Sequence, residues 1–254
     1  LINYSVCPCS KIHNNIYGFL ADFNYNKSMC GIYCSDDSNT FEVLEEANQS
    51  RGNFATGLLY RHTEGDSLQY GIIRKEGSFD MEDISIPENC DLFLGHNQAP
   101  TSSQRYFQDD TSHPFEVGDW VVAHNGVLTN FKELQQECRV VPENPVDSYI
   151  IPYLLAENDY KDGPSDNVVG GEVNNITKVL QRLEGTYAVW MYNTWSNNLY
   201  VARQGSTLFY KGTHVSSIKG NGYTEVAEGT IYKYNTTGYE AESTFEHKSP
   251  FLTL

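Results

Sequence analysis

The sequence predicts an α+β fold in which layered β-sheets are covered on the outside by helices, and three observations carry that prediction. Short stretches with alternating apolar and polar residues, rich in β-branched and aromatic types, recur from residue 31 to residue 124. Helical patterns are then grouped, and strand patterns resume from residue 186. Strands, then helices, then strands again are the pattern of packed sheets with helices on their faces.

The elements follow in order. Strands are expected at Gly31–Cys34, Thr56–Arg61, Leu68–Arg74, Leu92–Asn97 and Trp120–His124. Helices are expected at Asn39–Asn48, at Asn130–Cys138 with Thr129 or Asn130 as N-cap, at Asp147–Asn158 and at Asn174–Leu183. Asn158–Gly171, rich in Asp, Gly and Pro, reads as an exposed loop. Strands return at Thr186–Tyr192, Leu199–Arg203 and Thr230–Tyr234. No internal repeat and no interdomain linker stands out, and 254 residues fit one large domain or two small ones.

Composition narrows the function classes. A net charge of −16 argues against a nucleic-acid-binding surface, which needs clustered Lys and Arg. No apolar run approaches the ~18 residues of a membrane-spanning helix, so no membrane partner is expected. Four Asn-X-Ser/Thr triplets, at Asn26, Asn48, Asn175 and Asn235, come without a secretory signal and read as chance. The cysteines at 7, 9, 30, 34, 90 and 138 repeat no zinc-ligand spacing, and no metal or cofactor is expected.

The chemistry starts at Met29-Cys30-Gly31-Ile32. A cysteine after a start-like methionine can become the first residue of the mature chain. Its α-amine titrates near ~7.7–8 and its thiol near ~8.5, so the residue carries its own base. Val121-Val122-Ala123-His124-Asn125-Gly126 lies about ninety residues on. The Asn125 amide and the unhindered Gly126 N–H suit an oxyanion hole for a tetrahedral acyl intermediate. Each feature also has an ordinary reading: a buried thiol for the first, a hairpin turn for the second. Cys34 is the rival nucleophile, but it has no adjacent base and falls inside the first strand. A catalytic thiol must stay reduced, which points to the cytoplasm.

Seven ordered segments resemble those of the class II glutamine amidotransferases of the N-terminal-nucleophile hydrolase superfamily. Cys30-Gly31-Ile32 is similar to the opening nucleophile segment, and Gln49 through Gly57, containing Arg51-Gly52, to the second block. Leu94-Gly95-His96-Asn97-Gln98-Ala99-Pro100-Thr101 resembles the Gly-His block. His113-Pro114-Phe115 and then His124-Asn125-Gly126 with Leu128-Thr129-Asn130 resemble the oxyanion-hole block, and Asp147-Ser148 the acidic pair that holds the substrate amine. Leu183 to Val189 and Leu199 to Arg203 are similar to two late core strands.

The resemblance implies a four-layer αββα sandwich and hydrolysis of the glutamine side-chain amide through a Cys30 thioester, releasing glutamate and ammonia. Asn125 and Gly126 would hold the oxyanion, and Arg51 would brace the nucleophile's terminus. Asp147 would take the substrate ammonium, with Gln98, Thr101 and His124 on the substrate side. One departure stands out: many members have an arginine clamping the substrate carboxylate where this chain has Gln98. Arg105, Thr101 or backbone N–H groups would then supply that contact.

The resemblance sets residues 29–254 as a type 2 glutamine amidotransferase domain. Residues 1–28 are expected to be a propeptide or an upstream segment that is never translated, and Leu1 favours the latter. Either way the segment must be absent, because an acylated Cys30 nitrogen is no base. No phosphate-cradling Gly-Lys-Ser/Thr loop is seen, so ammonia is expected to go to a separate synthetase or acceptor-modifying partner, or simply to solvent. Two rivals stay open: an N-terminal-cysteine hydrolase of a non-glutamine amide, and a catalytically silent regulatory domain.

Overall fold

A computed structural model of the chain describes residues 30–99, 106–138, 144–162 and 168–247. Two antiparallel sheets stack face to face between helical layers. The first sheet contains β1 (Gly31–Ser35), β2 (Ala55–Glu64), β3 (Ser67–Glu76), β4 (Cys90–Gln98), β9 (Phe209–Lys211), β10 (His214–Ser216) and β11 (Thr224–Glu225), in the order β11-β9-β10-β1-β4-β2-β3. The second contains β5 (Phe115–Val117), β6 (Trp120–Leu128), β7 (Gly185–Asn193), β8 (Asn198–Gln204), β12 (Thr230–Asn235) and β13 (Gly238–Thr244), in the order β13-β12-β8-β7-β6-β5.

Three apolar clusters separate the four layers. Helix α1 (Ser38–Gln49) starts at the Asp37 N-cap, whose carboxylate accepts from Thr40 N–H at 2.8 Å. It buries Phe41 and Leu44 with Tyr33, Leu58 and Phe93 of the first sheet. Between the sheets, Ile32, Cys34, Leu59, Leu92 and Leu94 meet Val121, Ala123, Ala188, Trp190 and Val201. Trp190 crosses the gap and donates its indole N–H to the Gly95 carbonyl at 3.1 Å. On the far side, Trp120 and Val122 meet Ile150, Ile151, Leu154 and Leu155 of α3 (Ile150–Asp162) and Ile176, Val179 and Leu180 of α4 (Val168–Leu180). Helix α2 (Phe131–Glu137) adds Leu134 to this layer. The expected α+β sandwich, layered αββα, is therefore the architecture found.

Several details differ from the sequence expectation. Asn158–Gly171 is not one loop: α3 runs to Asp162 and α4 begins at Val168. Asn158 and Asp159, which suggested a loop, bind side chains of α4 and β6 instead. Asn158 Nδ2 donates to Asn175 Oδ1 at 2.9 Å, and Asn175 Nδ2 donates to Asp159 Oδ1 at 2.6 Å. Asp159 Oδ2 in turn accepts from the Trp120 indole at 2.5 Å. Asn130 occupies the α2 N-cap position without a capping bond; its amide bridges Arg182 O at 2.8 Å and Glu184 N at 3.0 Å. Asn48 and Asn175, both in Asn-X-Ser/Thr triplets, are buried.

Candidate active site

Side chains alternate between the faces of a strand, so register decides which residues can share a site. Ile32 and Cys34 of β1 face the second sheet, while Tyr33 faces α1. Cys30, immediately before β1 and half-buried, continues the Ile32 face. Gly31 pairs with Asn97, so the same register sets Cys30 opposite Gln98 at the end of β4. Gln98 is buried on the face shared with Leu94 and His96. Asn97 faces the other way, where its Oδ1 accepts from the Tyr33 hydroxyl.

Arg51 reaches this point from the turn after α1. Its Nε donates to the Cys30 carbonyl at 2.9 Å. Its Nη1 donates to Thr207 Oγ1 at 3.2 Å and to the Ser217 carbonyl at 3.3 Å. Burial lowers the guanidinium pKa from its usual value, and the neighbouring Cys30 thiol opposes that shift. Gly52 is needed beside it because a Cβ there would lie 2.4 Å from Ala99 N and 2.5 Å from the Gln98 carbonyl carbon.

The second sheet contributes from β6, which runs past the expected end at His124 through Leu128. Asn125 is wholly buried on the inward face with Val121 and Ala123, and its Nδ2 lies 3.3 Å from Ser217 Oγ. Its Oδ1 has no hydrogen-bond partner among the described residues. Gly126 has φ +153°, and a Cβ there would lie 2.0 Å from the Thr186 carbonyl oxygen and 2.8 Å from His124 Nε2.

His124 lies on the opposite, helix-facing side of β6. Its Nε2 is 3.3 Å from the Thr186 carbonyl and its Nδ1 is 2.8 Å from Ser148 Oγ. A carbonyl only accepts, so Nε2 carries a hydrogen; the Ser148 hydroxyl, also 3.2 Å from Asp147 Oδ1, has one hydrogen to share between that carboxylate and Nδ1. Burial lowers the imidazole pKa; the Asp147 charge and the bond to Thr186 O pull it back only in part. Asp147 sits on the turn before α3, where its Oδ2 accepts from Leu128 N–H at 2.8 Å, two residues past Gly126. The His96 and His113 rings stack with centroids 3.9 Å apart, and His96 Nε2 lies 3.2 Å from the His124 carbonyl.

The structure thus gathers Cys30, Arg51, Gln98 and Asn125 around the inter-sheet gap, adds Gly126 at its edge, and sets Asp147 at the end of the same strand. Thr101, Arg105, Met29, Cys7, Cys9 and the 1–28 segment lie outside the described residues. Cys34, the rival nucleophile, is fully buried and its thiol pKa is pushed well up by desolvation. Sequence reasoning missed Ser217 and Thr207, which tie these parts together. The only signal for them was the Ser216-Ser217 pair after a β-branched residue.

No protein-family model matches the chain. Among curated proteins, it is 22% identical over 155 residues to 7-cyano-7-deazaguanine synthase 2 of Sulfurisphaera tokodaii, covering 60% of this chain and 31% of that protein. It is 28% identical over 202 residues to a glutamine–fructose-6-phosphate aminotransferase of Halobacterium salinarum, covering 74% of this chain and 31% of that enzyme. The chain therefore spans about a third of the length of these relatives. Among solved structures, the glutamine phosphoribosylpyrophosphate amidotransferase of B. subtilis superposes with a TM-score of 0.61 at 18% identity, over 87% of this chain and 50% of that one. A second structure, an allosteric regulatory enzyme of purine biosynthesis, gives 0.63 at 18% identity with the same coverages. The fold of this chain is therefore the one seen in the B. subtilis glutamine phosphoribosylpyrophosphate amidotransferase.

Proposed function

We propose that this chain hydrolyses the side-chain amide of glutamine through a Cys30 thioester and hands the ammonia to an acceptor bound by another domain or a partner synthetase. The observation that carries this reading is the Arg51 fork: one guanidinium grips the Cys30 carbonyl and the Ser217 main chain beside the buried Asn125 amide. That arrangement holds the residue that would be N-terminal without touching its amine. The relatives agree in chemistry, since the names of the Halobacterium and B. subtilis enzymes both specify glutamine.

The steps follow from the groups present. The Cys30 α-amine takes the thiol proton through a water, and sulfur attacks the amide carbon. Asn125 and Gly126 stabilise the oxyanion; loss of one such donor typically costs ~10²–10³ in rate. The ammonium form of the amine then protonates the leaving nitrogen, ammonia departs, and water cleaves the thioester to glutamate. Asp147 takes the substrate ammonium in a charge-assisted contact. In this reading the work is done in the reducing cytoplasm, and both residues 1–28 and Met29 are absent from the active form, which begins at Cys30.

Gln98 favours a second reading, hydrolysis of an amide other than that of free glutamine, because a buried neutral amide stands where a carboxylate clamp is expected. One experiment addresses both. Protein whose verified N-terminus is Cys30 is assayed for glutamate release, beside protein whose verified N-terminus is Leu1. Turnover by the first and almost none by the second is expected. Full activity with Leu1 in place refutes the amine as base, and no glutamate from either form refutes the glutamine reading.

A further inference from the structure

Ser217 follows β10 and is almost fully buried. Its main chain and side chain both bind Ile32, two residues after Cys30: Ser217 N–H donates to Ile32 O at 2.8 Å, and Ser217 Oγ accepts from Ile32 N–H at 3.0 Å. Its carbonyl accepts from Thr207 Oγ1 at 2.9 Å and from Arg51 Nη1 at 3.3 Å. The same Oγ lies 3.3 Å from the Asn125 amide. One buried residue therefore contacts the strand that follows the nucleophile, the arginine on the Cys30 carbonyl and the amide of the oxyanion hole.

Hydrogen accounting gives this contact a direction. A serine hydroxyl has one hydrogen and two lone pairs, and Ile32 N–H already fills one lone pair. With Asn125 Nδ2 toward Ser217, the other lone pair is filled, the hydroxyl hydrogen has no role at the amide, and the buried Asn125 Oδ1 is left without a partner. An orphaned buried acceptor is costly. The two amide orientations are nearly identical in shape and are chosen by their hydrogen bonds. Turned over, the amide accepts the Ser217 O–H at Oδ1, and Nδ2 occupies the partnerless position. The serine hydroxyl and Asn125 Oδ1 are then both satisfied, and the two Nδ2 hydrogens are left to donate, which is what an oxyanion requires.

We propose that Ser217 is a positioning residue: its hydroxyl donates to Asn125 Oδ1 and so keeps the Asn125 N–H turned toward the oxyanion formed at Cys30. This rests on the glutaminase reading above. Without the hydroxyl, the amide presents its oxygen to the oxyanion for part of the time, which repels it. The oxyanion exists only beyond the ground state, so the loss falls on kcat and not on KM.

The test is a double-mutant cycle in the form of the protein found to hydrolyse glutamine: wild type, Ser217→Ala, Asn125→Ala and both together, with kcat and KM for glutamine and a thermal melt for each. Ser217→Ala is expected to lower kcat about tenfold, less than the ~10²–10³ of deleting a donor outright, with KM within about twofold. In the Asn125→Ala background, Ser217→Ala is expected to cost less than about twofold, because the amide through which it acts is gone. Ser217→Thr, which keeps the hydroxyl, is expected to recover most of the rate. If alanine melts the fold, Ser217→Cys, similar in volume but a weak donor, takes its place in the cycle. Unchanged kcat, a loss confined to KM, full multiplicative loss in the double variant or a folded threonine variant without recovery each overturns the proposal. Wild-type protein without glutaminase activity refutes the functional reading instead, so the two failures are distinct.

Discussion

Replacing Arg51 with lysine tests the brace on the nucleophile, because it keeps the charge and removes the fork. The guanidinium spans two sites: Nε to the Cys30 carbonyl at 2.9 Å, and Nη1 to Thr207 Oγ1 and Ser217 O at 3.2 and 3.3 Å. An ammonium is a compact point donor and serves one of these sites, not both. The variant therefore loses at least one hydrogen bond from a charged donor to a buried carbonyl, worth about 1.5–3 kcal/mol. For a domain of this size each kcal/mol moves Tm by roughly 2–4 °C, so a fall of about 3–12 °C is expected. Thr207 still donates to Ser217 O, which sets the loss at the Cys30 end. If lysine keeps the Ser217 side, Cys30 loosens, and a displacement on the order of 1 Å costs about 10²-fold in rate. Differential scanning fluorimetry and steady-state glutaminase assays read the two effects. A lysine variant with wild-type Tm and wild-type kcat refutes the brace.

Other outcomes follow from the same geometry. Gly52→Ala forces a methyl to 2.4 Å from Ala99 N and is expected to destabilise the fold by about 3 kcal/mol or more, measured by urea denaturation. Asn125→Ala is expected to lower kcat by ~10²–10³ with a modest change in KM, because it removes the amide proposed to hold the oxyanion. His124 has a folded-state pKa below the ~6.5 of the unfolded chain. Its contribution is therefore complete above ~6.5 and is lost as pH falls toward the depressed value, since the unfolded chain takes up the proton first. Burial raises the Glu45 pKa, which acts in the opposite sense at lower pH. Melts of His124→Gln against wild type between pH 5 and about 7 isolate the histidine, and the variant is expected to show the flatter dependence.

Much of this was legible in the sequence, and the parts that were not have physical reasons. Strands β1, β4, β6, β7 and β8 show themselves by apolar alternation, because each has a face in the inter-sheet core. The three-residue strands β9 and β10 are too short to show a period, so beyond the Ser216-Ser217 pair nothing marked Ser217, which follows β10 and joins Ile32, Arg51 and Asn125. The motif resemblance puts His124 on the substrate side, and in the structure its ring lies on the helix-facing side of β6. The alternation was already implicit: neighbours in one strand point to opposite faces, and Asn125 faces inward. Asn158 and Asp159 suggested a loop because their partners, Asn175 and Trp120, are far away in sequence.

The central claim is that Cys30 is the nucleophile of a glutamine-specific amidase. Its most direct test is labelling the active protein with a glutamine-like electrophile and mapping the adduct by mass spectrometry, with excess glutamine as competitor. The account predicts one adduct, on Cys30, that forms in step with loss of glutaminase activity and is slowed by glutamine. Cys34 should stay unlabelled because it is buried and its thiol pKa is raised by desolvation. An adduct on Cys34 or Cys138 that tracks inactivation, or labelling of Cys30 that leaves turnover intact, contradicts the account.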